Sequence, residues 1–167
     1  MIIQQSETEI LKDFMSRAGD SLEKLIERLG VRFVRDTDLG EKSGQIEFDG
    51  KQYTISVNAL ENRGRQRFTA AHEIAHYVLH RDLLRKKGVL NRHTDTLFDE
   101  PSLNEVEPFT KQHEIQANKY AARLLMPAPL VREMVSDGKN ISEMAEAFRV
   151  SKPAMEIRLK NLGLNTE

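Results

Sequence analysis

The chain has 167 residues, 39% of them apolar and 31% charged, which suits one folded globular domain and excludes a disordered or collagen-like chain. It has no Cys, so disulfides, thiolate metal sites and Cys nucleophiles are excluded, and any metal must be held by His and carboxylates. The net charge of -1 gives no reason to expect nucleic acid or an anionic membrane as the main partner.

The first residues, from Met1 to Ile10, lack a basic stretch followed by a long apolar core, so they do not read as a secretory signal. No apolar run approaches the roughly 20 residues of a membrane helix, and a cytoplasmic location is expected. Ser6 and Glu9 have capping-box spacing, and Ile10, Leu11, Phe14 and Met15 follow at helical spacing up to Gly19. A second amphipathic segment runs from Asp20 through Leu22, Leu25, Ile26 and Leu29 to Gly30. Val31–Arg35 then reads as a short strand, and Gln45–Phe48 and Gln52–Val57 as two more. Asp49-Gly50 between the last two signals a hairpin, as expected of a type I′ turn with φ > 0 at its centre.

Residues 66–80 are helical in pattern. Residues 88–110 hold Gly88, Pro101 and Pro108 with weak periodicity, and read as a long loop with at most one short element. Charge changes sign here. Residues 61–92 carry 8 Lys and Arg against 3 Asp and Glu, whereas residues 93–110 carry 5 acidic and no basic side chains. Helices are predicted over 111–126, ended by Pro127, over Leu130 to Val135, and over 141–148 and 152–162, the last with Pro153 in its first turn.

The chemistry centres on His72-Glu73-Ile74-Ala75-His76. Two His four residues apart stand one helical turn apart on one face, where both can bind a single tetrahedral metal. Glu73 lies about 100° around from His72, placed to act as a base on water without being a ligand. The plain alternative is a pair of ordinary helix histidines. His80 shares the face, but a straight helix cannot bring His72, His76 and His80 to one ion. The pair 72/76 is preferred to 76/80, because only the first has a carboxylate beside it. A catalytic zinc needs a third protein ligand. Glu114 is the best candidate, in a helix whose small Ala117 and Ala121 allow close approach and whose Asn118 is placed to hydrogen-bond a ligating His. A solvated carboxylate is the alternative for Glu114, and His113, Glu105 and Glu107 are weaker rivals.

The run from Arg67 to His80 resembles the active helix of the ImmA/IrrE family of zinc metallopeptidases, and the run from Glu114 to Pro127 resembles that family's second motif. The tail from Ile141 to Leu164 is similar to its C-terminal segment, so the resemblance extends from about residue 53 to 164. Gln116 stands where many members have Glu, and Ala75 where Gly is common. The resemblance implies an α+β gluzincin-like metallopeptidase domain. It would have N-terminal helices, a short antiparallel sheet, two ligand helices and a C-terminal helix-turn-helix-like segment. It also implies Glu114 as the third ligand of Zn²⁺, and as substrate a helix-turn-helix repressor or antitoxin-type regulator, in mobile-element induction or stress response.

The expected reaction is peptide hydrolysis, with His72, His76 and Glu114 on zinc and Glu73 as the base. Tyr77, His80, His93, His113 and Tyr120 are candidates for stabilising the oxyanion. The strand Gln52–Val57 is expected to offer an edge to an extended substrate, unless it is plain sheet scaffold. Residues 1–128 are expected to form the peptidase unit, with 129–167 packed onto it. A rival reading makes the C-terminal helices a DNA- or partner-binding element beside a non-proteolytic metal site. Zero net charge over 129–167 argues against DNA.

Overall fold

Ser6, Ser21, Asn62, Asn140 and Ser151 each accept a hydrogen bond from the backbone N–H three residues on, and each opens a helix in the computed structural model, which describes residues 6–87, 89–93 and 110–164. The elements in order are α1 (Glu7–Met15), α2 (Leu22–Arg28), β1 (Arg32–Asp36), β2 (Lys42–Phe48), β3 (Tyr53–Asn58), α3 (Arg63–Leu79), α4 (Arg81–Lys87) and β4 (Val89–His93). After the undescribed residues come α5 (Lys111–Leu125), α6 (Ala128–Ser136), α7 (Ile141–Phe148) and α8 (Lys152–Asn161). The fold is thus α+β, as expected.

The sheet differs from the expected short antiparallel one. Its strand order is β1-β3-β2-β4, with β1 and β3 parallel and the other pairs antiparallel. The chain leaving β1 passes over the end of β3 before entering β2. Buried Asn58 holds this crossing, its side-chain amide donating to Gly40 O at 3.2 Å and Lys42 O at 2.9 Å. The strand expected as a substrate edge is β3, and it is an inner one, hydrogen-bonded on both sides. Among the described residues the outer strands are β1 and β4. Strand β4 falls within the stretch read as a long loop, and residues 94–109, with the rivals Glu105 and Glu107, lie outside the described residues.

The hairpin at Asp49-Gly50 is present, but its turn is not type I′. Gly50 has φ 99°, while Arg149 is the one non-glycine residue with positive φ among those described. The Asp49 carboxylate instead accepts from the backbone N–H of Lys51 and Gln52 at 2.9 and 2.8 Å, closing a longer loop. Helix α3 begins earlier than the predicted residue 66, because Asn62 caps it through Arg65 N at 2.8 Å.

One apolar core joins the elements. It includes Phe14, Leu25 and Ile26 of the first helices, Ile46, Ile55 and Val57 of the sheet, Phe68 and Ile74 of α3, and Leu124 and Leu125 of α5. Met144, Phe148, Met155 and Leu159 of α7 and α8 belong to the same cluster. Strand β2 lies close under α3 at Gly44, where a Cβ would stand 2.4 Å from Thr69 Cγ2 and 2.7 Å from Ser56 O. No helix among the described residues is long and apolar enough to cross a membrane.

Candidate metal centre

Helix α3 is buried along Phe68–Tyr77, including three polar residues that such a core would otherwise reject: His72 at 1% exposure, Glu73 at 0% and His76 at 0%. Buried polar groups need partners. Helix α5 supplies them for the two histidines. Its buried Ala117 and Ala121 keep its surface low, and α3 and α5 pack along their lengths. Glu114, in the first turn of α5, places its carboxylate 3.0 Å from His72 Nε2 and 3.2 Å from His76 Nε2. The two Nε2 atoms are 3.1 Å apart.

Among the described residues, these three side chains are the group whose ligand atoms converge, all within 4.8 Å of one another. Metal bonds of about 2.0–2.1 Å in a tetrahedron put ligand atoms about 3.3 Å apart. The observed 3.0–3.2 Å spacings fit that figure with a small relaxation outward. Burial pushes the Glu114 carboxyl up, but hydrogen bonds from His72 and His76 outweigh it and hold the group well below the usual carboxylate range. With the carboxylate ionised, the two imidazoles need only give up their Nε2 protons for the three atoms to serve as donors to a cation.

The far nitrogens of both imidazoles are also tied. His72 Nδ1 meets Asn118 Oδ1 at 2.8 Å. His76 Nδ1 meets His80 Nδ1 at 3.0 Å, and His80 Nε2 meets Gln116 Oε1 at 2.7 Å. One proton arrangement satisfies this chain with Nε2 of both His72 and His76 left as acceptors. Nδ1–H of His72 donates to Asn118, Nδ1–H of His76 donates to His80, and Nε2–H of His80 donates to Gln116. It requires neutral His80, in keeping with burial, which lowers the His80 pKa more than the Gln116 contact raises it. His80 is thus the C-cap of α3 and braces His76.

The remaining candidates are dispersed. His113 accepts from Thr110 N at 2.9 Å and lies edge-on to the His80 ring, with centroids 4.8 Å apart. The Tyr77 hydroxyl points to Leu29 O at 3.5 Å, its ring against Tyr53 and under Arg81, so the structure directs it away from the cluster. Half-buried Tyr120 lies beside Arg123. His93 is the last residue of β4. Sequence reasoning noticed Gln116 only as a departure from a motif. Its partnership with His80 has no local signal, because it forms across the helix pair.

Residues 26–160 match the model of the peptidase family described as IrrE N-terminal-like domain. The chain belongs to that family. It is 33% identical over 117 residues to the radiation response metalloprotease IrrE of Deinococcus radiodurans, covering 68% of this chain and 32% of that protein. It is 31% identical over 117 residues to the protein of the same name in Deinococcus deserti, covering 68% and 37%. With the metallopeptidase ImmA of Bacillus subtilis it shares 27% identity over 135 residues, covering 78% and 70%. The chain thus spans about a third of the length of its Deinococcus relatives.

Proposed function

We propose that this member of the IrrE N-terminal-like family is a zinc-dependent endopeptidase. The observation that carries the reading is the convergence of His72, His76 and Glu114 from two helices in the core. Two imidazoles and a carboxylate, with a fourth position left for water or substrate, are a donor set of catalytic zinc. His72 and His76 would hold the ion through Nε2, and Glu114 through its carboxylate. When bound, zinc supplies polarisation of the scissile carbonyl and makes water acidic enough to attack at neutral pH. Glu73 serves as the base. It takes the proton of the attacking water and delivers it to the departing amine. Asn118 and, through His80, Gln116 fix which imidazole nitrogen faces the ion.

The substrate is proposed to be a helix-turn-helix repressor or antitoxin-type regulator, met in the cytoplasm. Residues 1–128 carry the chemistry in a gluzincin-like arrangement, with 129–167 packed onto them. The relatives named metalloprotease and metallopeptidase support the activity. DNA binding by α7 and α8 is less well supported. Arg158 is buried and donates to Met126 O at 3.0 Å, while Arg149 turns to Gly19 O. The exposed Lys152, Glu156 and Lys160 leave little net charge on the outer face of α8.

The test pairs the chain with a helix-turn-helix regulator encoded beside it. Glu73→Gln should retain zinc by metal analysis and lose cleavage by about 10²–10⁴-fold. Undiminished cleavage by that variant would sink the mechanism, and zinc bound as tightly by His72→Ala as by the natural chain would sink the site.

A further inference from the structure

A second polar site lies on the other side of α3. A cavity of about 160 Å³ is lined by Arg63 and Arg67 of α3, Arg35 of β1 and Arg149 from the turn between α7 and α8. At 100° per residue, Arg63 and Arg67 stand about 180° and 140° around α3 from His72, so the cavity is separate from the metal ligands. Glu23 is the one acidic residue lining it, and it is paired with Arg35 at 3.0 Å. Asp20, whose charge also bears on Arg67, is held by Arg17 at 2.7 Å. Among the described residues, Arg63, Arg67 and Arg149 thus line one small space without an ion pair to a carboxylate.

Two features mark this as more than a basic surface. Arg67 donates from a terminal nitrogen to Asp20 O at 2.8 Å, but its Nε is buried with no hydrogen-bond partner. Burial, and next the charge of Arg149, lowers Arg67 to about 10, a conflict that an anion between the two would relieve. Arg149 itself sits at φ 60°, the one left-handed non-glycine residue among those described, at a helix end where Gly is favoured. The backbone tolerates a left-handed Arg whose side chain lines the cavity and donates to Gly19 O at 3.3 Å. The first turn of α3 also carries no acidic residue, although its dipole favours one there.

We propose that this cavity binds a phosphate group. Arg forks recognise phosphate in bidentate fashion, and a phosphomonoester brings about -1.5 to -2 charges and three acceptor oxygens. A carboxylate is satisfied by one guanidinium; three arginines lining one cavity match the larger charge. The ligand is inorganic phosphate or a small molecule ending in a phosphomonoester.

The test is calorimetric titration of the full chain with inorganic phosphate and, separately, phenyl phosphate, in chloride buffer of about 0.15 M. Saturable binding to the cavity is expected, weakened about tenfold or more by Arg149→Gly and likewise by Arg63→Ala. Without phosphate, Arg149→Gly should melt no lower than the natural chain, because Gly suits that backbone, so lost binding does not reflect lost folding. Tighter binding of phenyl phosphate supports a phosphomonoester ligand, and tighter binding of inorganic phosphate supports the free ion. Absence of saturable binding of both probes overturns the proposal. So does unchanged affinity in both variants, which would place the phosphate elsewhere, the metal centre included.

Discussion

Replacing Asn118 by Ala tests how the core holds the proposed zinc ligands. Asn118 Oδ1 is 2.8 Å from His72 Nδ1 in a buried setting, and it is the group that fixes the His72 proton on Nδ1. Without it, the imidazole can rotate or carry its proton on Nε2, and both remove the lone pair meant for the metal. Partners of this kind are worth about 10–100-fold in metal affinity, or about 1.4–2.7 kcal/mol. A buried N–H left unbonded costs about 1–3 kcal/mol, so two independent routes give the same size. Gln116→Ala should cost less, below about tenfold, because Gln116 reaches His76 only through His80. Zinc affinities from competition with a chelating indicator, for both variants and the natural chain, decide the matter. Asn118→Ala binding zinc as tightly as the natural chain, or Gln116→Ala binding it more weakly than Asn118→Ala, would refute the reasoning.

Two further predictions concern the frame. Gly44→Ala should destabilise the fold by about 1–3 kcal/mol, because the new methyl meets the Ser56 carbonyl at 2.7 Å as well as Thr69 and must push β2 away from α3; a denaturation midpoint equal to that of the natural chain would show that the contact yields freely. Backbone hydrogen bonds from Gln52 and then Lys51 hold exposed Asp49 below its ordinary carboxylate value of 3.8. The folded pKa is thus below the unfolded one, so the contribution is present above 3.8 and lost as pH falls through the folded value. The stability difference between the natural chain and Asp49→Ala, followed by urea unfolding, should therefore narrow as pH falls below 3.8, and a difference that stays constant would contradict the assignment.

What could be read from the sequence follows the range of the interaction. His72 and His76 are legible because four residues on a helix always make neighbours, whatever surrounds them. Glu114 and Asn118 are legible as one face of a second helix, and their place opposite His72 follows once α5 packs on α3. Caps such as Ser6, which accepts from the backbone N–H of Glu9 at 3.2 Å, are local and equally plain. The strand order is another matter. Short β-like runs mark β1, β2 and β3 as strands, but nothing local says that β3 will enter between the other two. That depends on a crossing loop pinned by Asn58. The same holds for the turn at Asp49, where a side chain bonding to Lys51 and Gln52 replaces the expected left-handed pair.

The charge pattern shows the limit most clearly. The basic stretch over 61–92 is visible in the sequence, yet its residues part company in the fold. Arg81 reaches Glu7, Arg85 donates to the Tyr53 hydroxyl at 3.1 Å, and Arg63 and Arg67 turn to the cavity behind α3. Arg35 and Arg149 join them there from distant parts of the chain, drawn from segments whose own net charge is negative or zero. A running sum of charge cannot find such a site, because the sum follows the backbone while the field follows the packing. The helix that carries the two histidines thus presents the proposed cation site to α5 and, on its other side, the proposed anion site beside Arg35 and Arg149.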